Sequence, residues 1–224
     1  MGSILDVTAH AMAPVLPCAL LTSKLCTIRR VKNEHDELIA QTAAALVVQE
    51  GLEYRDAKRQ ALKRLGLGAR TALPSNALVE AAVREYIDIF CAEEQAEQLQ
   101  HLRRLALVWM GRLREFRPHL SGAVWRGTAS VHSDIYLQLF CQDPKSAEIE
   151  LINQGLRYQV TRVRGFKGED VDALSLNVQS AALSRYVGVH LMIYDLDDIR
   201  GALKADPQMG SLRGDEQALL RLLG

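Results

Sequence analysis

The stretch from Gly122 to Phe140 reads GAVWRGTASVHSDIYLQLF. Its first half is rich in small residues, which is typical of a turn. In its second half, SDIYLQLF, residues alternate between two faces, one made by Ile135, Leu137 and Leu139 and the other by Asp134, Tyr136 and Gln138. We therefore expect a turn and then a strand with one apolar face and Asp134 at the start of the polar face.

Residues 31–117, before this stretch, predict helices. A breaker at TALPSN contains Ser75, whose hydroxyl is a favourable N-cap for the helix that follows. The strongest helical periodicity runs from about Glu93 to Phe116, before Pro118 breaks the helix. Its apolar residues recur at steps of three and four: Leu99, Leu102, Ala106, Trp109, Leu113 and Phe116. We expect these residues to form a buried stripe, and residues 31–117 to form a helical region.

Strand-like and helical runs alternate over residues 118–200 and predict a small α/β domain. LSGAVW reads as a short strand, RGTASVH as a turn and DPKSAEIELINQG as a helix with Asp143 as N-cap and Pro144 at its first position. Three strand-like runs follow, at YQVTRVRG, VDALSLNV and VGVHLMIYD. Residues 201–224 predict a C-terminal loop and helix, and residues 1–30 a poorly ordered extension. The fold class is thus α+β, with a helical region packed on a small mixed sheet.

Composition excludes several classes of protein. Lys plus Arg and Asp plus Glu both number 27 in 224 residues, so the formal net charge is zero. Any charged binding surface must therefore be local. No apolar run reaches the roughly 18 to 20 residues that span a bilayer. The four cysteines are scattered without a C-x-x-C pair, which favours reduced thiols and a cytoplasmic protein. The P-loop, zincin, serine-hydrolase and dinucleotide-binding motifs do not occur in the sequence.

The quoted stretch resembles the signature of the nucleotidyltransferase fold of the DNA polymerase β-like superfamily. In that family a Gly-Ser turn, often continued by R-G, precedes by about ten residues a strand that reads D-x-D. Here Gly122 stands at the turn glycine, Arg126-Gly127-Thr128 at the R-G-T, and Asp134 at the first carboxylate. The resemblance covers roughly residues 118 to 195.

The resemblance implies a nucleotide site and a magnesium site. Two carboxylates at i and i+2 of a strand point the same way, so they can share the divalent cations that stabilise phosphoryl transfer. Asp134 would be the catalytic and metal-binding carboxylate. The nucleotide-binding residues would be Gly122, Ala123, Arg126, Gly127 and Thr128.

This sequence departs from the pattern at three places. Ala123 replaces the turn serine, and Tyr136 replaces the second carboxylate with a phenol that is a poor magnesium ligand. The third acidic position falls on Asp172 or, if the last strand is the equivalent one, on His190. We therefore expect a divergent member, a pseudoenzyme, in which nucleotide or phosphate binding is retained and nucleotidyl transfer is weak or lost.

Three alternatives remain open at this point. The protein would be an active single-metal enzyme if Asp134 and Asp172 converge. A nitrogen-oxygen metal site would form if His132, Asp134 and His190 converge. The third is a non-enzymatic module that binds a protein or RNA partner through a basic helix with Arg55, Lys58, Arg59, Lys63 and Arg64.

Overall fold

The computed structural model describes residues 19–68 and 70–224, with side chains from Glu34 onward. Four helices lead the chain: α1 (Ala19–Glu50), α2 (Tyr54–Arg64), α3 (Asn76–Phe90) and α4 (Ala92–Arg112). The expected N-terminal extension lies outside the described residues as far as residue 18, and from Ala19 it belongs to α1. The structure confirms the Ser75 cap, because the Leu78 N–H donates to Ser75 Oγ at 3.1 Å.

The second half of the chain supplies the strands and the short helices. The strands are β1 (His119–Ser121), β2 (Ile135–Cys141), β3 (Gln159–Arg164), β4 (Asp170–Ser180), β5 (Arg185–Asp195) and β6 (Arg213–Gly214). The remaining helices are α5 (Gly122–Arg126), α6 (Pro144–Asn153), α7 (Ile199–Ala202) and α8 (Glu216–Leu223). Asp143 caps α6 as expected, since its Oδ1 accepts from the Lys145 N–H at 2.9 Å.

The strands form one mixed sheet in the order β3-β4-β5-β2-β1-β6. β2 and β5 pair in parallel, and the other neighbours pair antiparallel. This parallel pair sets Tyr136 opposite His190, and the β4–β5 pair sets His190 opposite Ser175. The α+β fold class is therefore confirmed.

The expectation that GAVW continues a strand is wrong. β1 ends at Ser121, and the next five residues form α5. Gly122 has φ +75° and Gly127 has φ +81°. These left-handed conformations suit glycine, and they end β1 and α5 respectively.

Two large apolar cores, and a small third cluster around Phe140, Tyr194 and Ala202, organise the described residues. The first joins α1, α2 and α3 around residues such as Ile39, Ala61 and Val83. The second joins α4, α6 and α8 to one face of the sheet, and it contains Trp109 and Leu219. The stripe of α4 therefore packs on the sheet, and the C-terminal residues complete that core and add β6 at the sheet edge.

No helix in the described part of the chain combines the length and the apolar character needed to cross a membrane.

Candidate functional site

A cavity of about 560 Å³ lies between the helical half and the sheet. The end of α1 and the start of α2 form one wall, with residues such as Gly51, Glu53 and Tyr54. The opposite wall contains the β1–α5 turn, the segment before β2, and Tyr136. Its volume falls within the range of small-molecule sites.

Tyr136 occupies the position where the family pattern has a second carboxylate. A Cβ placed on Gly122 would lie 3.4 Å from Tyr136 Cδ2, so the ring lies next to the turn. The ring also stacks on His190, with centroids 4.8 Å apart. Burial, with the charges of Glu53 and Asp134, raises the pKa of Tyr136 to about 12. The phenol therefore stays protonated at neutral pH.

Asp134 precedes β2, and its carboxylate is held by β5. The Gly188 N–H donates to Oδ1 at 2.9 Å, and His190 Nε2 lies 3.3 Å from Oδ2. A Cβ on Gly188 would lie 2.6 Å from the Asp134 carboxylate carbon, so glycine alone admits this approach. The His190 hydrogen bond lowers the pKa of Asp134 below its ordinary value of 3.8, against the effect of burial. Asp134 is thus ionised at neutral pH.

Asp134 fixes the direction of a hydrogen-bond chain across three strands. An ionised carboxylate only accepts hydrogen bonds, so His190 Nε2 must carry the proton that it shares with Asp134. When the imidazole is neutral, Nδ1 is then an acceptor, and it lies 2.8 Å from Ser175 Oγ. With His190 neutral, Ser175 donates to His190, which donates to Asp134.

Asp172 is not brought together with Asp134. Leu174 and Leu176 of β4 face the apolar core, whereas Ser175 faces His190 on the other side of the sheet. Because side chains alternate along a strand, Asp172 lies on the Leu174 face. It pairs there with Arg162, at 3.3 Å from Nε to Oδ1. Of the two residues that the sequence offers for the third acidic position, His190 is the one that lies beside Asp134.

These residues do not make a magnesium site. The described chain has no group of three or more His, Cys, Asp or Glu side chains placed to hold a metal ion. His132, a further candidate ligand, contacts α1 instead, with Nε2 3.0 Å from Gln49 O. Magnesium requires several oxygen ligands, and here Asp134 is the only one of the three motif positions that offers a carboxylate.

Arg126 forms an ion pair with a buried carboxylate. Its Nε lies 2.7 Å from Glu80 Oε2, and Glu80 is 5% exposed. Its guanidinium also lies over the Tyr54 ring, 5.6 Å from the centroid. Among the expected nucleotide-binding residues, Gly122, Ala123 and Thr128 do line the cavity with Arg126. The carbonyl of Gly127 accepts from Gln95 Nε2 at 3.0 Å, which ties it to α4.

The basic stripe of α2 is smaller than the sequence predicts. Lys58 is buried, and its Nζ donates to Pro74 O at 3.1 Å and to Asn76 Oδ1 at 2.8 Å. Arg64 pairs with Glu50 at 2.6 Å. Arg55, Arg59 and Lys63 are exposed. Of the five expected nucleic-acid contacts, Lys58 is therefore buried and Arg64 forms an ion pair at the surface.

The sequence did not indicate that the helical half closes the cavity. Glu53 and Tyr54 lie about 70 residues before the motif, and their approach depends on how α1 and α2 pack. Ser175 was also missed, because its role depends on the register of β4 with β5. Gly188 was the one available signal, since a glycine within a strand often marks a close approach.

No protein-family model matches the chain, and a search of curated proteins found none that matches it.

Proposed function

We propose that this chain is a nucleotidyltransferase-fold protein that binds a nucleotide-class ligand without transferring its nucleotidyl group. A nucleotide-class ligand here means a base and sugar, with or without phosphate groups. The observation that carries the proposal is the placement of Tyr136. It lies between the Gly122 turn and His190, at the second carboxylate position, and the cavity remains open beside it.

The loss of transfer chemistry follows from the electrostatics of the site. Phosphoryl transfer depends on positioning and on stabilisation of charge by metal ions. The Asp134 carboxylate accepts hydrogen bonds from the Gly188 N–H and from His190 Nε2. Asp172 lies on the opposite face of the sheet. Apart from Glu53, Arg55 and Arg126, the other lining residues are uncharged, and they suit recognition better than metal binding.

Retained binding is supported by the cavity and its lining. The Tyr54 ring offers a surface for a planar base, whereas the Tyr136 ring is stacked on His190 and lies next to the Gly122 turn. Polar side chains at Asn76, Ser133 and the exposed Arg55 also line the cavity and can make hydrogen bonds. This combination of aromatic surface and a few polar groups is typical of ligand sites.

Calorimetric titration with nucleosides and nucleoside triphosphates, with and without Mg²⁺, tests this proposal. We expect binding by at least one of them, no requirement for Mg²⁺ and no release of pyrophosphate. Arg55 is exposed and lines the cavity, so Arg55→Trp should weaken binding; the matched Arg59→Trp, one turn further along α2, should not. Absence of any binding would refute the proposal, and Mg²⁺-dependent pyrophosphate release would show an active transferase instead.

A further inference from the structure

The hydrogen-bond chain through Ser175, His190 and Asp134 contains the three groups of an activated serine. Ser175 Oγ lies 2.8 Å from His190 Nδ1, and His190 Nε2 lies 3.3 Å from Asp134 Oδ2. The Asp134 carboxylate is held in turn by the Gly188 N–H, at 2.9 Å. A hydroxyl, a base within hydrogen-bond reach of it and a third group that orients the base are together the arrangement that makes a serine nucleophilic, whatever the fold or the order of the residues along the chain.

These side chains lie on the face of the sheet that points away from the large core. Leu174 and Leu176 of β4 face that core, so Ser175 between them faces the other way. Ser175 is partly exposed, and the His190 side chain is 26% exposed. The neighbouring β3, at the edge of the sheet, is exposed along most of its length. A small substrate can therefore approach the hydroxyl and the imidazole from solvent.

Two amide side chains flank Ser175 on this face. Gln159 of β3 is its direct cross-strand partner, and Asn177 lies two residues further along β4. Both are exposed. Cross-strand partners have Cβ atoms about 5 Å apart, and residues i and i+2 of a strand share a face. Side-chain amides beside a nucleophile can donate hydrogen bonds to the oxyanion that forms when the nucleophile attacks a carbonyl group.

We propose that Ser175 is a nucleophile that accepts the acyl group of small carboxylic esters, with His190 as general base and Asp134 as the residue that positions the imidazole. Ser175 Oγ bonds to the carbonyl carbon while its proton passes to His190 Nδ1. The ester C–O bond then breaks, and the leaving alkoxide takes that proton and departs as an alcohol. Water next attacks the acyl group as Nδ1 takes its proton; the bond to Oγ breaks, Oγ takes the proton back, and a carboxylic acid is released.

Asp134 acts in this proposal through the tautomer of His190. As an acceptor it keeps the imidazole proton on Nε2 and leaves Nδ1 free to take the serine proton. In Asp134→Asn the amide oxygen accepts from the Gly188 N–H, so the amide NH₂ faces Nε2 and the imidazole proton moves to Nδ1. The ¹⁵N resonances of the ring should report this change of tautomer, and ester hydrolysis should fall at least about tenfold. An imidazole that keeps its proton on Nε2 in Asp134→Asn would overturn the positioning role.

The experiment treats the full chain with a fluorophosphonate, which forms an Oγ–P bond with an activated serine and releases fluoride. We expect an adduct at Ser175, located by peptide mass spectrometry, and hydrolysis of p-nitrophenyl acetate. Ser175→Ala and His190→Gln should each lower that hydrolysis at least about tenfold. Ser180→Ala is the matched control, because Ser180 lies on the same strand and its hydroxyl accepts from the Leu183 N–H instead of contacting an imidazole. It should leave labelling and hydrolysis unchanged, and thermal melts check that each variant is folded.

Absence of an adduct at Ser175 in the wild type would overturn the proposal without recourse to any variant. Hydrolysis by folded Ser175→Ala or His190→Gln at the wild-type rate would also overturn it, because the serine would then not be the nucleophile or the imidazole not its base. Neither probe reports on a ligand in the cavity, so the proposed function stands or falls separately.

Discussion

Asp134, directly before β2, packs against Gly188 of β5. The Asp134 carboxylate accepts the Gly188 N–H at 2.9 Å, and it occupies the space that a Cβ at Gly188 would need. The two residues lie 54 positions apart. A side chain at position 188 is therefore compatible with the fold only if the carboxylate moves.

Gly188→Ala should lower the free energy of unfolding by about 1 to 3 kcal/mol, because it displaces the carboxylate from the Gly188 N–H and from His190. Denaturant unfolding measures this change. In an Asp134→Ala background the same substitution should cost clearly less, since the clash is gone. The control is Gly111→Ala in α4, where an added Cβ meets no atom within 4 Å and should be neutral or stabilising. Additive effects of the two substitutions would contradict the pairing.

The lowered pKa of Asp134 predicts a dependence of stability on pH. Because the folded pKa lies below the unfolded one, the ionised carboxylate contributes stability fully above about pH 4, and this contribution disappears as the pH falls through the folded pKa. Asp134→Asn should therefore be less stable than the wild type at pH 7, by about 1 kcal/mol after allowance for the partial exposure of Asp134. Melting curves from pH 7 to pH 2 should show the two proteins converging at the acid end. The exposed Asp170→Asn serves as control, and a difference that stays constant with pH would refute the assignment.

We expect substitution of Arg126 to destabilise the protein even without a ligand, because Arg126 forms an ion pair with the buried Glu80. Arg126→Met leaves the buried Glu80 carboxylate with only Arg84, whose side chain is 54% exposed. The loss should be about 2 to 4 kcal/mol, at the lower part of the range for a broken buried pair because Arg84 remains. Arg84→Met should cost under about 1 kcal/mol. The double variant Glu80→Gln, Arg126→Met should recover part of the loss in thermal unfolding. Unchanged stability of Arg126→Met would show that the ion pair is not structural.

Substitution of Lys58 tests whether this residue of α2 stabilises the fold instead of lying free at the surface. Lys58→Met removes the two hydrogen bonds of Nζ and leaves Pro74 O and Asn76 Oδ1 without that donor, so unfolding should be easier by about 1 to 3 kcal/mol. The exposed Lys63→Met should change stability by less than about 0.5 kcal/mol. Chemical denaturation of both variants checks this. Equal stabilities would indicate that Lys58 is as free as Lys63.

Local sequence patterns were sufficient for the elements that depend on local interactions. The Ser75 and Asp143 caps and the α4 stripe follow from residues within one or two turns of each other, whereas the expected polar face of β2 is largely buried, with Gln138 4% exposed. Their physical causes are helix capping and the periodicity of burial, which act over short stretches.

The contacts that decide the chemistry of the site are non-local. His190 lies opposite Tyr136 through a parallel pair of strands, and the sequence left the third position open between His190 and Asp172. Arg126 pairs with Glu80 across 46 positions, so the sequence could not show that its charge is already used. Such partners depend on the packing of distant segments, which a local pattern does not encode.

Gly214 and Trp125 are in close contact and hold the C-terminal segment against the sheet. A Cβ at Gly214 would lie 2.1 Å from Trp125 Cη2, and the indole Nε1–H donates to Ser211 O at 2.8 Å. Gly214→Ala should therefore displace the indole and lower the free energy of unfolding by about 1 to 3 kcal/mol. Trp109 is buried in the core, so a red shift of the tryptophan emission would report the exposure of Trp125. Gly201→Ala in α7, where an added Cβ meets nothing within 4 Å, is the matched control. An unshifted spectrum with unchanged stability would show that β6 does not need the close contact between Gly214 and the indole.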